Sequence, residues 1–263
     1  MGRLCTGIFG LDELIGGGFV KNTVNALLGT TGCGKTIFSI QYLLEGLENG
    51  EKCVYISFDL DAEEFERIAK SIGWKLSDYI ESGQLKVGKF HVDNASFLNS
   101  ELVKFISGKN LRIVIDSFSP LIASVDLRAR SEVGWFFKNL RNSGTSVVTI
   151  EEPFVGGSLD NFANLSLFLA DSVIHLKNVG YGEIYNRTLR IVKHRMSWHA
   201  DGVFPYSIIE GVGLVIEERR GEGIEVRLDG LKISEKAKNQ IKRLLNEGYL
   251  TREDFEKIKR RLI

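Results

Sequence analysis

One octapeptide limits the folds open to this chain more than any other feature. Residues 29–36 read Gly-Thr-Thr-Gly-Cys-Gly-Lys-Thr and fit the pattern G-x-x-x-x-G-K-[ST]. Each part has its own physical task. Gly29, Gly32 and Gly34 allow the backbone positive φ and let its N–H groups turn inward with no Cβ in the way. Lys35 has the reach to meet the β- and γ-phosphates of a nucleotide, and the Thr36 hydroxyl can ligate Mg²⁺. The expected nucleotide contacts run from Gly29 through Thr30, Thr31, Gly32, Cys33, Gly34, Lys35 and Thr36 to Ile37, where a helix N-terminus adds roughly half a positive charge.

A motif this short takes its meaning from its setting. Upstream, Thr23 to Leu28 is a β-capable apolar run; downstream, Ile37, Ile40, Tyr42, Leu43, Leu44 and Leu47 fall at helical spacing. Strand, glycine loop and helix form the context in which such a loop binds phosphate. At 263 residues, 43% of them hydrophobic, the chain has length and apolar content for one sizeable α/β domain and a small appendage. The formal net charge is zero, so no global field points to nucleic acid or an anionic membrane. Cys5, Cys33 and Cys53 are odd in number and show no metal-ligand spacing, as expected of a reduced intracellular chain. No run reaches the ~18 apolar residues of a membrane span, so the expectation is a cytoplasmic protein without membrane insertion.

Lys52 to Phe58, Leu111 to Ser117 and Thr145 to Glu151 are near-continuous β-branched stretches, the mark of strands buried on both faces. Helical spacing over 63–72, 100–107 and 132–142 separates them, which predicts a mainly parallel sheet covered on both sides. Residues 171–176, 187–194 and 206–218 then read as successive strands, an antiparallel extension at one edge. From Leu231 onward there are ten Lys/Arg against five Asp/Glu, so this tail carries +5 and the remainder −5. Ser234 and Thr251 suit N-caps and Gly248 a stop, giving a two-helix hairpin too small to hold a core of its own. The expected division is 1–230 for the main domain and 231–263 for a basic hairpin that docks on its own domain or on a neighbour.

Several ordered segments resemble one family, the KaiC-like branch of RecA-type P-loop ATPases. Residues 6–24 resemble its lead-in to the phosphate loop, with Phe9 where a proline is usual. Residues 54–74 resemble the strand and helix that carry the catalytic carboxylate, residues 112–117 the second acidic motif, and residues 188–208 the K-x-R-G-S-x-H segment. The resemblance spans roughly Thr6 to Glu217. It implies a three-layer RecA-like fold, a homo-oligomeric ring, most simply a hexamer, with ATP between neighbours, and an unnamed protein client.

Asp116 ends an apolar strand about eighty residues beyond Lys35, where a carboxylate can hold Mg²⁺ through its water shell. Hydrolysis further needs a carboxylate on the attacking water, and the resemblance places a glutamate after the strand equivalent to residues 54–58. Asp59 stands there with Leu60, shorter by one methylene or roughly 1.5 Å, so slow turnover is expected. Asp61 and Glu63 are reserves. The resemblance assigns Lys193 and Arg195 to a neighbour's γ-phosphate, and both project from one face of an extended segment. Met196 replaces the family's glycine, and His199 matches a family histidine. Glu151, at a strand end, suits either a phosphate sensor or a loop start. Two other functions fit the same residues: a RecA/Rad paralogue on single-stranded DNA and a nucleotide-gated scaffold of a motor. The first wants cationic aromatic loops, yet residues 151–175 hold no Lys or Arg, leaving Arg128, Arg130 and the tail.

Overall fold

A computed structural model describes residues 2–91, 101–120, 130–152, 161–178, 187–226, 228 and 231–262. Its strands are β1 (Arg3–Leu4), β2 (Phe19–Val20), β3 (Val24–Gly29), β4 (Cys53–Ser57), β5 (Leu85–Lys89), β6 (Leu111–Ile115), β7 (Gly144–Glu151), β8 (Ser172–Asn178), β9 (Arg187–His194), β10 (Phe204–Ile209) and β11 (Gly213–Ile216). The first two form a small antiparallel ribbon, and the others one sheet in the order β11-β10-β9-β8-β3-β7-β6-β4-β5. From β8 to β5 every neighbour is parallel; β8-β9, β9-β10 and β10-β11 are antiparallel. The expected parallel sheet with an antiparallel edge is therefore present.

Helices α1 (Leu11–Leu14), α2 (Lys35–Glu48), α3 (Ala62–Ser71), α4 (Ser77–Glu81), α5 (Arg130–Ser143) and α6 (Asn161–Leu169) complete the body. Phe38, Tyr42 and Leu43 of α2 and Phe65 of α3 join Leu27 and Tyr55 in one core. Phe136, Phe137 and Leu140 of α5 join Ala26, Leu28 and Val148 in another, across the sheet. Adjacent residues of β3 thus serve opposite layers, which explains its unbroken apolar run. The helix expected at 100–107 is seen over residues 101–105. The stretch 152–168 is expected to be a loop: residues 153–160 lie outside the described residues, and from Asn161 onward it is helix α6 instead. Its sequence is apolar nearly all round, so it lacks the one-sided stripe that marks a helix.

The tail forms α7 (Glu235–Asn246) and α8 (Arg252–Leu262), capped by Ser234 Oγ on the Ala237 amide and Thr251 Oγ1 on the Asp254 amide, with Gly248 at φ 74° between them. The hairpin docks on its own chain. Ile241, Leu244, Leu245, Phe255 and Ile258 share a core with Phe9, Ile209, Val212 and Val215. Around it, Arg243 meets Glu217 at 2.8 Å, Arg261 meets Glu48 at 2.7 Å and Lys257 pairs with the buried Glu45. The opposite charges of tail and body therefore face each other across the joint. Phe9, the departure from the family's proline, supplies part of that surface, with Arg261 Cζ 5.9 Å from its ring centroid.

Candidate functional site

The phosphate loop joins β3 to α2 at the carboxyl edge of the parallel strands, where ligands of open α/β sheets bind. Gly32 and Gly34 have φ of 78° and 100°. A Cβ on Gly32 would meet nothing within 4 Å, so that side of the loop is open. Gly29 differs from expectation: it remains extended, paired with Glu151 and Leu176. It is small for another reason, since a Cβ there would lie 2.5 Å from the Leu176 carbonyl oxygen and 2.6 Å from Cys33 Sγ. The Cys33 thiol is buried and pushed above its ordinary pKa by that burial, which makes it a packing group and not a reactive one. Tyr206 of β10 donates its hydroxyl to the Cys33 carbonyl, tying the loop to the antiparallel edge.

Lys35 is 6% exposed and donates to the Gly29 carbonyl at 2.8 Å and the Thr30 carbonyl at 3.0 Å. Its third oxygen partner is Glu151 Oε1, at 3.0 Å. Thr31 Oγ1 donates to the other Glu151 oxygen at 3.3 Å. Between its two sequence readings, the carboxylate of Glu151 thus lies against the phosphate loop.

Asp116 follows β6, two places from β3 in the sheet, and is 6% exposed. Thr149 Oγ1 donates to its Oδ1 at 2.6 Å and the Tyr55 hydroxyl to its Oδ2 at 3.0 Å. Neither support was visible in the sequence, because Tyr55 and Thr149 lie inside apolar strand runs and only the β4-β6-β7 register brings them to Asp116. Burial and then the Asp116 and Asp59 charges hold the Tyr55 phenol well above its usual range, so it donates at neutral pH. Asp59 is exposed, in a turn pinned by Ser57 Oγ, which accepts the Asp59 and Leu60 amides at 3.2 and 2.9 Å. The reserves are structural: Asp61 caps α3 in a reciprocal box with Glu64, and Glu63 occupies the first turn.

The donor set fits a Mg-nucleotide. Thr30 Oγ1 is buried with no hydrogen-bond partner, the first-turn amides of α2 have no intrahelical acceptor, and Lys35 supplies a cation. Among the described residues no cluster of three or more His, Cys, Asp or Glu could cage a metal ion. Mg²⁺ takes few protein ligands and shares substrate phosphates; Thr36 and Asp116 are the candidates.

Lys193 and Arg195 meet at the C-terminal end of α6. Lys193 Nζ donates to the Leu167 and Phe168 carbonyls at 3.0 and 3.1 Å, and Arg195 Nη2 to the Phe168 carbonyl at 3.3 Å. Burial and the adjacent Arg195 charge lower the Lys193 pKa. This pair lies at the opposite edge of the sheet from the phosphate loop. Lys193 aligns with Val173, which aligns with Ala26, and the Arg195 amide bonds the Asp171 carbonyl, whose own amide bonds Val24. From these levels to Gly29 a strand climbs roughly 16 Å for Arg195 and roughly 10 Å for Lys193, and both side chains are bonded to carbonyls of α6, so these cations do not meet the loop of their own chain. Met196 has φ 63° and is 52% exposed, so it keeps the left-handed backbone a glycine would take. Among the described residues His199 has a local partner, the Ala200 carbonyl at 3.1 Å. Arg128 lies outside the described residues, as does the side chain of Arg130.

Residues 4–221 match the family model described as "ATPase: KaiC". The chain is 27% identical over 262 residues to circadian clock protein KaiC3 of Synechocystis sp., covering 94% of this chain and 52% of that protein. It is 30% identical over 221 residues to the circadian clock oscillator protein KaiC of Parasynechococcus marenigrum, covering 78% and 43%. The chain spans about half the length of these curated relatives. A crystal structure of a KaiC-like protein from the hyperthermophilic archaeon Pyrococcus horikoshii OT3 superposes with a TM-score of 0.69 at 30% identity, covering 82% of this chain and 99% of that one.

Proposed function

The chain belongs to the KaiC family of ATPases, and from that premise we propose that it binds Mg·ATP on residues 29–37 and hydrolyses it slowly, as a nucleotide-driven switch between subunits of a ring. The observation that carries this reading is Lys35, buried at the head of α2 and donating to the loop's own carbonyls, with the buried Asp116 at the end of β6 in the same parallel sheet. Lys35 and the α2 amides hold the phosphates. Thr36 and Asp116 hold the ion, which supplies charge neutralisation when bound. Thr149 and Tyr55 fix the Asp116 carboxylate so that its oxygens cannot rotate away.

Asp59 is the carboxylate left to orient water, and it is a weak one. A displacement near 1 Å costs on the order of 100-fold, and the Ser57 anchor keeps the backbone from making up the missing methylene. Asp59→Glu is therefore expected to raise steady-state hydrolysis by about 10-fold, near 1.4 kcal/mol of barrier, and Asp59→Asn to lower it. If neither substitution changes the rate, Asp59 is only a turn residue and the protein acts as a nucleotide-gated scaffold.

The ring reading rests on Lys193 and Arg195. Two cations that do not meet their own loop serve that reaction only on a neighbour's nucleotide, as an arginine finger does. Arg195→Ala protein mixed with Lys35→Ala protein should then regain part of the turnover that each lacks alone, since some interfaces pair an intact loop with an intact finger. No recovery at any ratio, with mixed oligomers verified by native mass spectrometry, would leave Lys193 and Arg195 as helix-capping cations.

A further inference from the structure

The ammonium of Lys35 has three N–H donors, and the structure gives it three oxygen acceptors, two loop carbonyls and Glu151 Oε1, with the weakly accepting Cys33 sulfur further off at 4.0 Å. A nucleotide phosphate reaching Lys35 must therefore replace one of them. The carbonyls are poor candidates to yield. Gly29 is fixed in the sheet, where its oxygen also accepts the Glu152 amide at 3.0 Å, and the loop is held at Cys33 by Tyr206. Glu151 is different. Its backbone is locked, with its amide donating to Ser119 Oγ at 2.7 Å, but its side chain is 41% exposed and free to swing into water. Its second oxygen takes the Thr31 hydroxyl, so one carboxylate spans the loop from Lys35 to Thr31. An anion with two acceptor oxygens on a phosphate-binding lysine and a loop hydroxyl has the charge and acceptor pattern of a phosphate group itself.

We propose that Glu151 is a resident competitor for the nucleotide's phosphates, a carboxylate that occupies Lys35 and Thr31 and sets how tightly Mg·ATP binds. The inference rests on residues 29–37 being the nucleotide site. Displacement costs the Lys35 ion pair, and the displaced carboxylate stays close to a polyanion, so both effects weaken binding. Both vanish when the charge is removed. Glu152 does not share the role, since its carboxylate pairs with His175 at 2.7 Å.

The test is titration calorimetry of Mg·ATP into full-length wild-type protein and into Glu151→Gln and Glu151→Ala, with thermal melting of each as the folding control. Both variants are expected to bind about 10-fold more tightly at low salt. The gain should shrink toward 1 M salt, where charges are screened within about 3 Å, a trend a purely structural role would not produce. Equal or weaker ATP binding by folded variants overturns the proposal and leaves the site standing. Failure of all three proteins to bind nucleotide overturns the site, and the proposal with it.

Discussion

Lys35→Ala is expected to abolish measurable binding of ATP. A lysine at a phosphate-binding loop makes charge-assisted hydrogen bonds of about 1.5–3 kcal/mol each. Two of them correspond to a loss of about 100-fold or more, at 1.4 kcal/mol per tenfold. The fold should survive the change. Gly29's carbonyl keeps the Glu152 amide, and the freed Glu151 carboxylate, 41% exposed, is solvated in place. Calorimetry should thus show no heat of ATP binding while the melting temperature stays within a few degrees of wild type. Unchanged ATP affinity would remove residues 29–37 as the nucleotide site, whatever the family relationship.

What was legible in advance divides along a physical line. Strands β3, β4, β6 and β7 carry their signal locally, as β-branched runs buried on two faces, and the phosphate loop carries its own in glycine spacing. The antiparallel edge was readable only in outline: its strands β9 and β10 are partly exposed, and residues 206–218, read as one strand, fold as the hairpin β10-β11. Elements whose identity depends on neighbours were not. β5 (Leu85–Lys89) is a short edge strand with lysines at its second and last positions, and nothing in it outweighs its polar residues until β4 pairs with it. The site shows the same division. Asp116 could be picked out by its place at a strand end, but its two hydrogen-bonding supports come from strands 61 and 33 residues away in sequence. Glu151 could not be decided between sensor and loop start because the answer is a contact with Lys35. For Lys193 and Arg195 the alternation of an extended chain gave their common face, while their distance from the loop needed the strand register.

The tail illustrates the same limit, since a charge excess of +5 fits nucleic acid, a neighbouring subunit or the chain's own surface equally well. The structure gives it the third, and the consequence is large. Removing residues 231–262 strips cover from Phe9, Ile209, Val212 and Val215, each buried now. At about 1.5–3 kcal/mol per side chain returned to water, four of them cost about 6–12 kcal/mol as an upper bound. That is comparable with the whole stability of a domain, about 5–15 kcal/mol. Glu45 adds to the loss: it sits on α2, 3% exposed, and its cationic partners Lys257 and Arg261 both belong to the tail. An acid buried without its cation is strongly destabilising. We therefore expect the truncated chain to aggregate or to melt at least 15 °C lower, and Glu45→Gln to recover a small part of that loss. A truncated protein that stays monodisperse and melts within a few degrees of the full chain would mean the hairpin is an appendage and its shared core contributes little. The distinction bears on the proposed function, because Glu45 lies on the helix whose first turn is the proposed phosphate site: a tail that clamps one end of α2 would be part of the rigid support for the other.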